Sequence, residues 1–325
     1  MILDVQGVSK VFRGPRKTKI RANDDVSFSI KEGEIYGLMG HNGAGKTTLV
    51  NQIIGTLKPT SGEIYLMGKS VQESPIRARS LCSVQPQSQL PLGELTPAQA
   101  VSTMGKMRLG DKKEVKKRMN MLFDALDIGQ WANTQGVRLS GGIRRLTAFC
   151  MAVIQPGKLV ILDEPTNDVD PMRRRYLWNV IRELTNNGTS VILVTHNVLE
   201  AEKAVDRVAI LHKGKILSQG TPSEVKRSVD NKIRLEVSLL QDISDQEIPE
   251  WTLKSQHNGA RMTFSVDSAS VPLTIEWART LVERGKIIDY SLSPTTLEDV
   301  YVELTGGQEE NEDTKLGIGK EPSAI

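Results

Sequence analysis

Gly40-His41-Asn42-Gly43-Ala44-Gly45-Lys46-Thr47-Thr48 fits the pattern G-x-x-x-x-G-K-[ST] over its whole length. Before it, Glu34-Ile35-Tyr36-Gly37-Leu38-Met39 is short, mostly apolar and strand-like. After it, Thr47 to Gly55 reads as a helix with Leu49, Ile53 and Ile54 on one face, stopped by Gly55. Strand, glycine-rich turn and helix, in that order, is the context in which this pattern wraps a phosphate. Glycines let the backbone close around the anion, and the N–H groups at the helix start point at it. Lys46 is then placed to reach the β- and γ-phosphates of a nucleotide, and the Thr47 hydroxyl to ligate Mg²⁺.

The chain has 325 residues, which leaves room for roughly two domains. A hydrophobic share of 38% and a charged share of 25% describe an ordinary globular protein. The net charge of +3 gives no general argument for nucleic acid, and none is expected as a partner. Cys82 and Cys150 lie far apart in apolar surroundings, as expected of thiols in a reducing compartment. Met1-Ile2-Leu3-Asp4-Val5 lacks a charged start and a long apolar stretch, so no signal peptide is expected. No apolar run is long enough to span a bilayer, so any membrane role is expected to come through a partner.

The period of the apolar residues changes along the chain. Residues 1–30 read as two strands around a basic hairpin carrying Arg13, Arg16, Lys17, Lys19 and Arg21, expected to be a solvated loop. Strands are expected at Glu63–Gly68 and Leu81–Val84. Residues 88–154 turn helical. Asp111-Lys112-Lys113-Glu114 is a capping-box pattern, and Val115, Met119, Leu122, Phe123 and Leu126 follow at helical spacing. Met104, Met107, Met119 and Met121 are expected to fill core. Strands and helices alternate again over 158–217, which argues for a largely parallel sheet covered on both faces. From about Val229 a second, smaller α/β domain is expected, with strands at Ile233–Val237, Arg261–Val266 and Ile287–Leu292 and a helix at Leu273–Arg284. Residues 306–325 are polar and rich in Gly and Glu, hence expected to be disordered.

A phosphate loop alone implies only nucleotide binding. The apolar strand Leu159-Val160-Ile161-Leu162 ends in Asp163-Glu164, which adds two carboxylates. One acid can hold Mg²⁺ through water and the other can point at an attacking water, the division of labour that hydrolysis needs. Taken in order, Gly40–Thr48, Gln87, Leu139-Ser140-Gly141-Gly142, Leu159–Pro165, Asp170 and His196 resemble the nucleotide-binding subunit of an ATP-binding cassette (ABC) transporter. The resemblance covers about residues 1–228.

That resemblance implies a P-loop NTPase core with an antiparallel β-subdomain and an inserted helical subdomain at about 88–154. It implies ATP and Mg²⁺ as ligands. Phe12 matches the aromatic that stacks on adenine. Lys46 and Thr47 match the phosphate lysine and the Mg²⁺ hydroxyl, within the cradle Gly40, His41, Asn42, Gly43, Ala44, Gly45 and Thr48. Gln87, in preference to Gln85, matches the glutamine that senses Mg²⁺ and the γ-phosphate and faces the membrane partner. Ser140, Gly141 and Gly142 match the segment that contacts the γ-phosphate of the opposite subunit. Asp163 and Glu164 match the metal acid and the general base, Asp170 the loop crossing between subunits, and His196 the γ-phosphate switch.

Two departures stand out. Asn167-Asp168-Val169-Asp170 replaces the commoner Asn-Gly-Leu-Asp, which removes an easy positive-φ position. Ile143, followed by Arg144-Arg145, stands where Gln is frequent. The latter, with the ending Leu297-Glu298-Asp299-Val300-Tyr301-Val302-Glu303-Leu304-Thr305, is similar to the export branch that includes the daunorubicin-resistance type. The expectation is an ATPase subunit, peripheral on the cytoplasmic side of the membrane. It would pair with a second ATPase subunit and drive export through a separate membrane-spanning permease. An import ATPase, or a non-transport ATPase of this type that regulates a partner complex, is the alternative.

Overall fold

The structure is a computed structural model that describes residues 1–14, 18–88, 91–227, 232–244 and 247–305. The expected tail 306–325, the expected boundary at 228–229, and Arg16 and Lys17 lie outside the described residues. The chain divides into two compact units, Met1–Pro222 and from Ser223 onward.

The first unit opens with β1 (Leu3–Arg13) and β2 (Lys19–Ile30), paired antiparallel with Val5 opposite Phe28. Alternation decides their faces. Leu3, Val5 and Val8 of β1 meet Val26, Phe28 and Ile30 of β2 on the buried side. The next strand, β3 (Ile35–Met39), is buried at all five positions and joins a different sheet. After α1 (Lys46–Ile53), β4 (Ser61–Leu66) and β5 (Lys69–Ser70) complete the first sheet in the order β2-β1-β4-β5.

A helix that periodicity does not announce, α2 (Pro75–Leu81), leads into β6 (Cys82–Gln85). Three helices follow: α3 (Pro97–Met107), α4 (Lys112–Ala125) and α5 (Gly141–Val153). The reciprocal capping box belongs to α3, where Thr96 and Gln99 bond each other's backbone N–H. At α4 Asp111 caps Lys113 and Glu114 directly. The methionines divide. Met119 is buried, while Met107 and Met121 are 72% and 57% exposed, so these two do not fill core.

Then β7 (Leu159–Asp163), α6 (Pro171–Asn186), β8 (Ser190–Thr195), α7 (Val198–Glu202), β9 (Arg207–His212) and β10 (Lys215–Gly220) complete a six-stranded sheet. Its order is β10-β9-β3-β8-β7-β6, with β9 through β6 parallel and β10 an antiparallel edge. Every residue of β7 and β8 is buried, as in a parallel sheet covered on both faces. Because these strands run one way, the ends of β3, β7 and β8 lie at one edge of the sheet, where such folds bind ligands.

A short helix, α8 (Pro222–Arg227), starts at the junction. The second unit is an antiparallel sheet of β11 (Lys232–Leu239), β12 (Thr252–Asn258), β13 (Arg261–Asp267) and β14 (Ile287–Pro294), in the order β12-β13-β11-β14. Helix α9 (Val271–Glu283) packs Ala278 and Leu281 on Leu235, Val237, Phe264 and Val266. Trp277 meets Phe264 edge-on at 5.2 Å. A last helix, α10 (Leu297–Thr305), is capped by Thr296, which exchanges bonds with Asp299, and is tied to β11 by Arg234–Asp299 at 2.9 Å. This core is small and Phe264 is fully buried at its centre. Phe264→Ala is expected to destabilise this unit by about 3–5 kcal/mol. Chemical unfolding should show it as an early transition, with nucleotide binding by the first unit retained.

Candidate functional site

Residues 40–45 leave the end of β3 and close into a cradle at the start of α1. Gly45 is required by geometry. Its φ is 104°, and a Cβ there would lie 2.2 Å from the Ala22 carbonyl oxygen. The cradle is braced from behind. Asn23 Nδ2 donates to the Gly45 carbonyl at 3.2 Å, and Gln52 Nε2 donates to Asn23 Oδ1 at 2.7 Å. Both side chains are fully buried, yet nothing in their local pattern marks them as supports. The Gly214 N–H bonds the Ala44 carbonyl at 3.0 Å, and His212 stands 5.1 Å from the His41 ring.

Lys46 turns its ammonium into the loop, donating to the carbonyls of Gly40 at 2.5 Å and His41 at 2.9 Å. Burial pulls its pKa down, opposed by the charges of Glu164 and Asp163. Asp163, at the end of β7, is 8% exposed. Burial, and then Glu164, push its carboxyl up to about 6, against Lys46 and Arg145. One buried cation therefore faces two buried carboxyl groups from consecutive positions at the end of β7.

Glu164 follows with a φ of 49°, uncommon for a side-chain-bearing residue, and is 2% exposed. Its N–H bonds the Val194 carbonyl at 2.9 Å. Its carboxylate accepts from Thr195 Oγ1 at 2.9 Å and from the His196 N–H at 2.8 Å, and meets His196 Nδ1 at 2.5 Å. A carboxylate only accepts, so Nδ1 carries the proton, and Nε2 is the ring nitrogen left to face a ligand. Residues separated by 32 positions thus form one cluster at the ends of β7 and β8.

The other sequence-derived residues sit elsewhere. Phe12 lies on β1, 38% exposed, with Lys10 Nζ 5.3 Å from its ring centre. Gln87 is exposed. Gln85, by contrast, is fully buried, and its Nε2 donates to the Arg145 carbonyl at 3.3 Å. Arg145 in turn donates to the Pro86 carbonyl at 3.1 Å, so helix α5 grips the backbone just before Gln87. Ser140 caps α5 by accepting from the Ile143 N–H at 3.4 Å. Asp170 caps α6, accepting from the N–H groups of Met172 and Arg173 at 3.2 and 3.1 Å. Burial raises the Asp170 pKa, but its bonds to Arg173 lower it more. Asp168, where Gly is commoner, has a φ of 63°.

The arrangement can cradle a phosphate chain, set a cation against it and place a carboxylate beside it. These features define a P-loop nucleotide-binding domain. Residues 23–167 match the family model described as ABC transporter. The daunorubicin/doxorubicin resistance ATP-binding protein DrrA of Streptomyces peucetius is 28% identical over 331 residues, 99% of this chain and 98% of that protein. Cholesterol transporter ABCA5 of Mus musculus is 33% identical over 329 residues, 95% of this chain. The chain spans only 20% of that relative's length. A solved ATP-binding subunit of an ABC transporter superposes with a TM-score of 0.64 at 26% identity, covering 70% of this chain and 93% of that one. A dimeric ATP-binding cassette in a post-hydrolysis state with ADP and phosphate superposes with a TM-score of 0.61 at 24% identity, a likeness of fold, over 68% of this chain and 98% of that one. The match to the ABC transporter family thus covers residues 23–167, the part of the chain that holds Gly40–Thr48, Ser140–Gly142, Asp163 and Glu164.

Proposed function

We propose that this chain is the ATP-binding and ATP-hydrolysing subunit of an ABC transporter that exports its cargo through a separate membrane subunit. The observation that carries the ATPase reading is that the charge of Lys46, at the start of α1, acts on Asp163 and Glu164 at the end of β7, while Glu164 is bonded to Thr195 and His196 at the end of β8. The export reading is supported by the end-to-end likeness to DrrA. No described helix is long and apolar enough to cross a membrane, so the spanning part is assigned to a partner.

ATP lies with its phosphates on residues 40–48, and Phe12 stacks on its adenine. Lys46 leaves the carbonyls of Gly40 and His41 for the β- and γ-phosphate oxygens, a charge-assisted exchange. Thr47 and Asp163, with Gln87, would hold Mg²⁺. Their oxygen donors suit a hard cation such as Mg²⁺, whose remaining positions water and phosphate would fill. When bound, Mg²⁺ supplies charge neutralisation at the phosphates. Glu164 takes a proton from the attacking water as its oxygen bonds the γ-phosphorus and the bond to ADP breaks. To do so it must loosen its bonds to Thr195 and His196, and His196 then turns to the γ-phosphate.

One chain carries one phosphate loop and one Ser140–Gly142 segment. We assign the second half of each site to another ATPase subunit, in a two-fold or pseudo-two-fold pair that closes on ATP. The groove by Gln87 and the stretch up to Met107 would receive a helix of the membrane subunit, placing this chain on the cytoplasmic side. The second unit, from Ser223 onward, is assigned an accessory role. Purification from detergent-solubilised membranes is expected to recover a membrane-spanning subunit with this chain, identified by mass. Recovery of a soluble monomer alone would contradict the transporter assignment.

A further inference from the structure

Arg173 is the third residue of α6 and takes no part in the chemistry above. Each of its guanidinium nitrogens is engaged. Nη1 donates to Asp170 Oδ2 at 3.0 Å, Nη2 to Asp127 Oδ2 at 2.6 Å, and Nε to the Asp127 carbonyl at 3.1 Å. The same group stacks 4.9 Å from the Trp131 ring centre. Its side chain is 18% exposed, while those of Asp127 and Asp170 are 57% and 45% exposed, so the guanidinium lies beneath its partners. Asp127 and Trp131 belong to the segment that joins α4 to α5 and so leads to Ser140. Asp127 is held at a φ of 52°.

A second contact joins the same two regions. A Cβ on Gly142 would lie 2.5 Å from the Asp168 carbonyl oxygen, so the loop 167–170 runs directly over the first turn of α5. The loop is thus fixed to the helical subdomain at both ends, by a close backbone approach and by a planar fork. An isolated exposed ion pair would contribute little. A fork with every nitrogen bonded and one face on an indole sets a geometry as well.

We propose that Arg173 is a positioning residue that locks the loop bearing Asp170 to the helical subdomain bearing Ser140–Gly142, so that both face a partner subunit as one block. This rests on the paired-site reading above. A small misplacement of groups that assemble a site costs far more than the contact itself.

The test uses the full chain, with ATP turnover, nucleotide affinity and amide hydrogen exchange measured together. Arg173→Ala is expected to lower kcat about 10-fold with ATP affinity unchanged, and to speed exchange about 10-fold in both 126–132 and 167–170. Arg173→Lys should not rescue, because an ammonium cannot form the fork. Asp127→Gly, which tolerates the positive φ, should give the same losses, and the double variant should be no worse than either single one. Exchange at 167–170 that stays unchanged, or effects that add, would overturn the proposal. A parent chain that lacks ATP turnover would instead count against the paired ATPase site, and exchange would still decide the lock.

Discussion

Replacing Glu164 by Gln is expected to slow steady-state ATP turnover by roughly 10²-fold or more while ATP stays bound, because the substitution removes a general base and little else. Glu164 is buried and its carboxylate accepts from three donors, Thr195 Oγ1, the His196 N–H and His196 Nδ1. Gln has nearly the same shape. Its oxygen still accepts from the His196 N–H, and its amide can donate to the Thr195 hydroxyl, so the strand ends keep their arrangement. An amide cannot take the proton of an attacking water. Isolated in ATP and Mg²⁺, this variant should therefore retain unhydrolysed ATP, read by extracting and identifying the nucleotide. Unchanged turnover would remove Glu164 from the role.

Lys46→Ala is expected to act one step earlier, on binding. The lysine ammonium now lies on the carbonyls of Gly40 and His41, which places it within the cradle before any phosphate arrives. Its loss removes charge-assisted bonds to the β- and γ-phosphates, about 1.5–3 kcal/mol, or roughly 10- to 100-fold in affinity. It also removes a positive charge that acts on the buried Asp163 and Glu164. Titration with a fluorescent ATP analogue should show the weaker binding, with turnover near the floor. The two variants thus separate: one binds and does not hydrolyse, the other scarcely binds.

Much of this was legible in the sequence because it is local. The cradle needs glycine where φ is positive, and Gly45 stands there. The buried strands read as continuous apolar runs, and Asp163 interrupts one at its end. What was not legible depends on distant partners. Asn23 and Gln52 look like ordinary polar residues until the fold sets them behind Gly45. Strand β12 alternates weakly because it is an exposed edge, with no buried face to impose a period. Met107 and Met121 share the composition of core residues but point outward, since α3 and α4 bury only the faces they turn to each other and to α5 and α6. Arg173 reads as one of three consecutive arginines, and only its separation of 46 residues from Asp127 in a closed fold reveals what it holds.

The central claim is that each ATP site is shared between two subunits, and mixing two inactive chains tests it most directly. Lys46→Ala disables one phosphate loop and keeps Ser140–Gly142. Ser140→Arg does the reverse. Neither alone should hydrolyse ATP. In a mixed pair the intact loop of one chain meets the intact segment of the other, and turnover should reappear in proportion to the mixed pairs formed. Turnover that stays at the floor of the separate variants, although mixed pairs are detected, would contradict a shared site.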